Sequence, residues 1–133
     1  MAQFHLQIVT PDGLVFDGSA DSILVRTEMG DVEIMRGHTD YFASLGTGRA
    51  KLNAAGKVSY ASASGGFISV KGGEVKLVTT TFEFAEDIDL ARAMRAKERA
   101  EAAIRSAKDE RQLRIAKAKL TRALSRIGVA EFK

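Results

Sequence analysis

The chain has 133 residues, of which 45% are apolar and 28% are charged, and its formal net charge is +3; this average composition excludes a disordered chain. No apolar run approaches the roughly 20 residues that cross a bilayer, and the first residues lack the basic and apolar segments of a signal peptide, so we expect the chain to stay on the cytosolic side of any membrane. The absence of cysteine excludes disulfides, thiolate metal sites and cysteine nucleophiles.

Two halves of different character meet near residue 85. Residues 1–84 hold seven Lys or Arg against nine Asp or Glu, whereas residues 85–133 hold thirteen against eight. Eleven of the twelve glycines lie at or before Gly73, while the last 49 residues contain twelve alanines. We therefore predict an α+β chain of two domains: an N-terminal all-β sandwich or barrel over residues 1–85, and a C-terminal antiparallel hairpin of two helices over residues 86–133.

Residues 1–84 alternate short β-branched and apolar runs with turn signals, the pattern of an all-β sandwich or barrel with roughly eight to ten strands. The clearest runs cover residues 4–9, 14–16, 22–26, 50–52, 58–60, 67–70 and 75–78. Gly72-Gly73 gives the strongest hairpin signal, because glycine reaches the positive φ angles of a tight turn without steric cost. Asp17-Gly18 is predicted to end the second run.

No arrangement of residues in this half indicates catalysis. Gly65-Gly66 lacks the helix start and the lysine of a phosphate-binding loop, so we interpret it as a hairpin or bulge. His5 and His38 lie far apart without an acidic cluster at ligand spacing, and both are predicted to be structural rather than metal-binding. The serines have no plausible base and acid partners.

From Asp87 onward the apolar period changes to about 3.6 residues, as in amphipathic helices. Asp87 or Asp89 can cap the first helix by accepting hydrogen bonds from its free N–H groups. Two seams at helical spacing follow: Leu90, Ala93, Ala96, Ala100, Ala103 and Ala107, then Leu113, Ala116, Leu120, Ala123 and Ile127. Small side chains let the helices approach closely, which favours an antiparallel pair that turns near residues 108–110 and ends at Gly128, a residue suited to a C-cap.

The alanine-rich seam also predicts a hairpin that opens at modest cost. Burying alanine removes little apolar surface from water, at roughly 25 cal/mol per Å². No glycine or proline lies between Glu74 and Ile127, so the two helices are also able to join into one longer helix. A ligand shifts such a two-state equilibrium when its binding free energies to the two states differ by only a few kcal/mol.

Arginines are the most informative polar residues of the helical half. Arg92, Arg95 and Arg99 share one helix face, and Arg122 and Arg126 lie one turn apart on the second helix. An antiparallel hairpin makes four of these guanidinium groups converge on one volume. The cluster is either a solvated face with nearby acidic partners, which spacing alone favours, or a site where a polyphosphate bridges the arginines through bidentate hydrogen bonds.

Five short segments follow one another along the chain: Val9-Thr10-Pro11-Asp12-Gly13, Gly37-His38, Ser64-Gly65-Gly66-Phe67, Ala85-Glu86-Asp87-Ile88-Asp89 and Val129-Ala130-Glu131-Phe132-Lys133. In this order, and in a β-then-α chain of this length, they resemble the ε subunit of bacterial F-type ATP synthase over essentially the whole sequence. The family's fold, an N-terminal β-sandwich followed by two C-terminal helices, agrees with the prediction from the residues.

The resemblance implies a non-catalytic regulatory subunit that takes part in ATP synthesis and hydrogen ion transport. In the family, the sandwich binds the γ subunit and the c-ring in the central rotor stalk. The helices switch between a compact form and an extended form, which reaches the α/β catalytic head and inhibits ATP hydrolysis. The implied protein is peripheral, on the cytoplasmic face of the cell membrane, and does not insert into the bilayer.

The compact form of Bacillus-like members binds ATP through an Ile/Leu-Asp-x-x-Arg-Ala motif, which residues 88–93 match in full. The residues that the resemblance implies for ATP binding are Glu83, Ile88, Asp89, Arg92, Ala93, Arg99, Arg122 and Arg126. Under this hypothesis the four arginines neutralise phosphates, Asp89 caps the helix and orients Arg92, and Glu83 with the Ile88 backbone holds the adenine edge. ATP is then a regulatory ligand, magnesium is a possible companion, and no catalytic cofactor is implied.

One segment departs from the family. Many members have Leu-Pro-Gly-His where this chain has Met35-Arg36-Gly37-His38. Loss of the proline loosens a turn, and Arg36 adds a charge near the surface that would face the rotor.

Other classes of function stay open from the residues alone. The basic helical half suggests a nucleic-acid-binding protein, but Phe132 is its only aromatic residue, which leaves almost no platform for base stacking. A generic helical-hairpin adapter protein is the other alternative. A β-sandwich hydrolase is disfavoured because no nucleophile, base and acid set is present.

Overall fold

The computed structural model describes residues 2–133, and in that range ten β-strands are followed by two α-helices. The strands are β1 (Phe4–Thr10), β2 (Gly13–Ala20), β3 (Ser22–Thr27), β4 (Gly30–Ile34), β5 (Tyr41–Ser44), β6 (Thr47–Ala54), β7 (Lys57–Ser64), β8 (Phe67–Lys71), β9 (Glu74–Val78) and β10 (Thr81–Phe84). A 3-10 turn at Ala85–Asp87 leads to helices α1 (Leu90–Ser106) and α2 (Glu110–Ala130). The predicted α+β fold class, a sandwich followed by two helices, is confirmed.

The strands form two five-stranded sheets, ordered β2-β1-β9-β8-β5 and β10-β7-β6-β3-β4. Burial alternates along strands such as β1, so every second side chain points into the space between the sheets. Leu6, Ile8, Ile23, Ile68 and Leu77 are fully buried there. Each such side chain contributes about 1.5–3 kcal/mol relative to exposure, so this core is the main source of apolar stabilisation.

Gly72-Gly73 forms the predicted hairpin, whereas the prediction of a hairpin or bulge at Gly65-Gly66 is wrong, because this pair connects β7 of one sheet to β8 of the other. Lys71 lies opposite Glu74 in the β8–β9 hairpin, and the two turn residues Gly72 and Gly73 have φ angles of 57° and 82°. At Gly66, φ is 89° and an added Cβ would overlap the carbonyl oxygen of Val78. Only glycine fits a position with both constraints.

Two boundaries differ from the prediction. β2 does not end at Asp17-Gly18 but continues to Ala20, because its backbone stays paired with β1 as far as Phe4. α2 does not end at Gly128 but continues to Ala130. Val129 is 2% exposed and packs against the sandwich, so burial of the last turn outweighs the low helix propensity of the glycine.

The two helices pack along each other as the predicted antiparallel hairpin, with a short connection at residues 107–109. Ala93 and Ala100 of α1 and Ala116 and Ala123 of α2 are buried in the seam. Because these side chains are small, the seam removes little apolar surface from water.

α2, rather than α1, joins the hairpin to the sandwich. It packs on β6, β7 and the 3-10 turn, whereas α1 packs mainly on α2. A small apolar cluster of Ala85, Ile88, Val129 and Ala130, with Tyr60 beside it, fills this contact. The hairpin is therefore held to the sandwich by a much smaller apolar contact than the one between the two sheets.

Candidate functional site

A cleft of about 340 Å³ lies where the sandwich, the 3-10 turn and both helices meet. Small-molecule sites commonly begin at this size. We call it the junction cleft. Its lining residues are Thr10, Asp12, Thr80, Thr81, Phe82, Glu83, Asp87, Ile88, Asp89, Arg92, Ala93 and Arg126.

Asp89 fixes the beginning of α1 at the edge of the junction cleft. Its backbone is extended, and its Oδ1 accepts a hydrogen bond of 3.1 Å from the backbone N–H of Arg92. Its carbonyl oxygen accepts the first intrahelical bond, at 3.0 Å, from the N–H of Ala93. Of the two predicted cap residues, Asp89 takes the N-cap position, and it holds Arg92 in the first turn beside the cleft.

Glu83 and Arg126 join the strand side of the junction cleft to α2. The Nε of Arg126 donates to Oε1 of Glu83 at 2.8 Å, and the two side chains are 31% and 39% exposed. An ion pair at this exposure contributes on the order of 0–1 kcal/mol to stability. Its clearer effect is positional, because it holds the Arg126 guanidinium at the boundary of the cleft.

A second cleft, of about 360 Å³, lies between the two helices and shares Arg126 with the first. We call it the interhelical cleft. Its other polar lining residues are Arg99, Lys119 and Arg122, and three alanines, Ala96, Ala100 and Ala103, complete the wall. The small residues that let the helices approach thus also leave open space between the cationic side chains.

The two clefts differ in charge. The junction cleft is lined by four carboxylates and by the guanidinium groups of Arg92 and Arg126. The interhelical cleft is lined by four cationic groups and no carboxylate. Apart from Arg126, none of these four cations forms an ion pair within residues 2–133. The interhelical cleft therefore suits a polyanion, because the ligand would supply the missing countercharge.

All eight residues of the sequence-predicted site line one of the two clefts. The junction cleft takes Glu83, Ile88, Asp89, Arg92, Ala93 and Arg126, and the interhelical cleft takes Arg99, Arg122 and, again, Arg126. The predicted convergence of the arginines is incomplete, because Arg92 lies among the carboxylates and Arg95 lines neither cleft. The helix directions place the guanidinium groups at two neighbouring volumes rather than one.

Several lining residues were absent from the sequence prediction. Lys119 precedes Arg122 by one helical turn, so its spacing would have identified it. Asp12 and Thr80 lie in loops that follow β1 and β9, two strands that are far apart in the sequence but are parallel neighbours in one sheet. No local pattern indicates that these loops meet at the same end of the sandwich as the start of α1.

The structure offers no competing metal centre in the described part of the chain. Within residues 2–133, no group of three or more His, Cys, Asp or Glu side chains is placed to hold a metal ion. His5 instead contacts the carboxylates of Asp17 and Glu74 on the exposed face of its sheet, away from both clefts. None of the helices in this range is long and apolar enough to span a membrane.

The fold is that of a β-sandwich followed by a helical hairpin, with one cleft where the two meet and a second between the helices. The family model for the "ATP synthase, Delta/Epsilon chain, beta-sandwich domain" matches residues 3–85, and the model for the "ATP synthase, Delta/Epsilon chain, long alpha-helix domain" matches residues 86–131. The chain belongs to the ATP synthase delta/epsilon chain family.

Full-length relatives support this membership. The ATP synthase epsilon chain of Bacillus velezensis is 38% identical over 130 residues, which is 98% of either chain. That of Halalkalibacterium halodurans is 37% identical over 131 residues and 98% of either chain, and that of Ruminococcus albus is 34% identical over 134 residues and 100% of either chain. The predicted resemblance to bacterial epsilon chains is confirmed.

Two solved structures share the fold. A chain of the mitochondrial ATP synthase OSCP/F1/c-ring assembly of Euglena gracilis has a TM-score of 0.84 at 24% identity, over 100% of this chain and 83% of that one. A chain of the mitochondrial ATP synthase central stalk and c-ring of Tetrahymena thermophila has a TM-score of 0.67 at 15% identity, over 95% of both. At these identities the likeness concerns the fold alone.

Proposed function

We propose that this chain is a non-catalytic regulatory subunit of an F-type ATP synthase, which links the γ subunit to the c-ring in the central rotor stalk. Family membership and full-length similarity to epsilon chains support this role. The fold is also that of chains solved in an F1/c-ring assembly and in a central stalk. The proposed location is the cytoplasmic face of the cell membrane, as a peripheral protein.

The ligand proposed for the two clefts is ATP, acting as a regulatory ligand. The observation that carries this proposal is the interhelical cleft, where four cationic side chains face open space with no carboxylate among them. Phosphate oxygens accept charge-assisted and bidentate hydrogen bonds from such groups. Arg99, Arg122 and Arg126 are the arginines that would neutralise the phosphates there, with Lys119 beside them.

The base and ribose are proposed to occupy the junction cleft. Glu83 offers a carboxylate oxygen to the amino group of adenine. Ile88 is 2% exposed and packs in the small apolar cluster, so a ligand would meet its backbone rather than its side chain. Ala93 is 1% exposed, and its small side chain keeps the cleft open. Arg92, held by the Asp89 cap, is proposed to reach the phosphates from this side.

Regulation is proposed to follow from the position of the site between the two domains. The junction cleft needs Thr10, Thr80 and Glu83 from the sandwich and Arg92 and Arg126 from the helices. ATP would therefore bind the docked hairpin and would not bind an undocked one with the same affinity. A ligand with such a difference shifts the equilibrium toward the docked form. Without ATP, the hairpin is proposed to extend toward the α/β catalytic head and inhibit ATP hydrolysis.

The test is a calorimetric titration of the full chain with ATP and with ADP, each with and without magnesium. We expect ATP to bind more tightly than ADP, because it places one more phosphate among the cations. Arg122→Ala should weaken ATP binding by about tenfold, or roughly 1.4 kcal/mol. Arg95→Ala is the matched control, since this arginine belongs to the same hairpin and lines neither cleft.

Two results would contradict the nucleotide site. One is the absence of both binding heat and a shift in melting temperature with ATP. The other is an equal loss of affinity in Arg95→Ala and Arg122→Ala, which would indicate non-specific attraction to a basic hairpin. The rotor assignment has its own test, since co-expression with a γ subunit should give a complex that co-purifies, and failure to do so would count against it.

A further inference from the structure

Phe132, just beyond the end of α2, stacks on an aromatic ring of the sandwich. Its ring centroid lies 4.1 Å from that of Tyr60 on β7, and the two planes differ by 22°. Stacked pairs of this kind contribute beyond the area they bury. Phe132 is the only aromatic residue after residue 84, so within residues 2–133 this is the one pair of stacked rings between the helical hairpin and the sandwich.

Arg49, on the neighbouring strand β6, lies over both rings. Its guanidinium carbon is 5.6 Å from the centroid of Tyr60 and 5.4 Å from that of Phe132. Both distances are within the range of cation–π attraction. Arg49 forms no ion pair with any acidic side chain in residues 2–133.

These three residues lie outside both clefts, but Phe132 follows the segment of α2 that carries Arg126. Phe132 is six positions after Arg126, and between them Val129 and Ala130 pack on Ala85 and Ile88. The contact between α2 and the sandwich therefore runs from the ligand site at Arg126 to the aromatic stack at Phe132. The apolar cluster in between is small, and the aromatic stack adds a contact at the far end of this segment, as the Glu83–Arg126 ion pair and a Ser62–Ser125 hydrogen bond do along it.

We infer that Arg49, Tyr60 and Phe132 form a clasp that positions Arg126 at the ligand site and sets how much of the free chain has its hairpin docked. The inference builds on the proposed function, because docking matters for regulation only if the two clefts bind ATP. Apparent affinity falls in proportion to the fraction of chains in the binding-competent form. The clasp thus tunes ATP affinity without touching the ligand.

The primary test measures docking directly in the free chain. Because the chain contains no cysteine, Lys57→Cys on the sandwich and Lys108→Cys at the helix turn give two unique labelling sites for single-molecule energy transfer. We expect one dominant population in the parent and a second, broader population in Phe132→Ala. Saturating ATP should restore the single population.

Further variants separate a clasp from a general loss of stability. Phe132→Tyr keeps the ring and should restore docking. Arg49→Gln removes the charge on the sandwich side of the contact and should also increase the undocked population. Phe42→Ala is the matched control, because it removes an exposed phenylalanine stacked on Phe67, with centroids 5.1 Å apart, in the other sheet. Circular dichroism checks that every variant keeps its helices and strands.

The outcomes distinguish this inference from the ATP site. Phe132→Ala should weaken ATP binding several-fold, through the docked fraction, while Phe42→Ala should leave it unchanged. If the parent chain binds no ATP, the proposed ATP site is wrong. The clasp is then still tested by the docked and undocked populations that energy transfer measures without ATP. If Phe132→Ala and Arg49→Gln both keep the single docked population of the parent, the clasp is wrong.

Discussion

Arg126 donates its Nε hydrogen to Oε1 of Glu83 at 2.8 Å, and this ion pair ties α2 to β10 at the edge of its sheet. Among the residues that line the two clefts, Arg126 alone belongs to both. A phosphate in the interhelical cleft would therefore meet a guanidinium that is already held in place from the other side. Pre-positioning of this kind lowers the entropy lost when a ligand binds.

Replacement of Arg126 by glutamine separates the effect of this ion pair on stability from the effect of Arg126 on ATP binding. Stability should fall by less than about 1 kcal/mol, because both side chains are about one-third exposed. ATP binding should weaken by about 1.5–3 kcal/mol, the range for a hydrogen bond to a charged group. Arg26→Gln is the control, since it removes a similar ion pair, of 2.6 Å to Asp31, outside both clefts. Chemical denaturation and calorimetry measure the two quantities, and a large loss of stability with unchanged affinity would contradict the role.

The parts of the fold that the sequence predicted are those with a strong local signal. The helical hairpin follows from apolar residues at a period of 3.6, and the β8–β9 turn follows from two consecutive glycines. Strands β4, β5 and β10 were not predicted, and each lies at the edge of its sheet. With a single neighbouring strand and partial exposure, an edge strand of four or five residues carries little of the alternation that identifies inner strands.

The candidate site also has a part that local sequence patterns predict and a part that they do not. The motif at residues 88–93 and the arginines of the helices are local patterns, and all of the named residues reach a cleft. The division of the arginines between two clefts depends instead on how α2 lies across the sandwich, because this decides that Arg126 meets Arg92 in one cleft and Arg99 in the other. That orientation is set by the packing of Val129 and Ala130 on Ala85 and Ile88, which no sequence period shows.

Replacement of Asp89 by alanine tests whether this residue acts through the helix cap. The loss of its hydrogen bond to the Arg92 N–H should lower stability by about 1 kcal/mol. Asp109→Ala is a matched control, because Asp109 caps α2 with a bond of 2.8 Å to the Gln112 N–H and lines neither cleft. We expect similar losses of melting temperature in the two variants but weaker ATP binding only in Asp89→Ala. Asp89→Asn keeps a capping oxygen and should restore the beginning of α1. Equal losses of ATP affinity in Asp89→Ala and Asp109→Ala would contradict a specific role of Asp89 in ATP binding.

The stability of the sandwich should depend on pH through His5. Hydrogen bonds to Glu74 and Asp17 raise the pKa of His5 above 6.5, and the bond to His5 lowers the pKa of Asp17 below 3.8. The pKa of His5 is higher in the folded chain than in the unfolded chain. The contribution of His5 to the free energy of unfolding is therefore complete below pH 6.5 and is lost as the pH rises through the pKa of the folded state. The contribution of Asp17 is present above pH 3.8 and is lost as the pH falls through its folded value.

The measurement is the difference in free energy of unfolding between the parent chain and His5→Gln as a function of pH. This difference should be largest at pH values between the titration of Asp17 and that of His5. It should shrink as the pH rises above the pKa of His5 in the folded chain. Asp17→Asn should shift the His5 titration, followed by NMR, toward lower pH. A difference that stays constant from pH 5 to pH 9 would show that the cluster does not stabilise the fold through the charge of His5.

Gly128 and Gly66 should respond in opposite ways to replacement by alanine. Gly128 lies inside α2, and an added Cβ meets no atom within 4 Å, so Gly128→Ala should raise the free energy of unfolding by about 0.5–1 kcal/mol. Gly66 has a φ of 89° and no space beside Val78, so Gly66→Ala should lower it by more than about 1 kcal/mol. Denaturation followed by circular dichroism measures both changes. A destabilising Gly128→Ala would mean that the helix ends at this glycine, as the sequence alone predicts, and that the last turn does not dock on the sandwich.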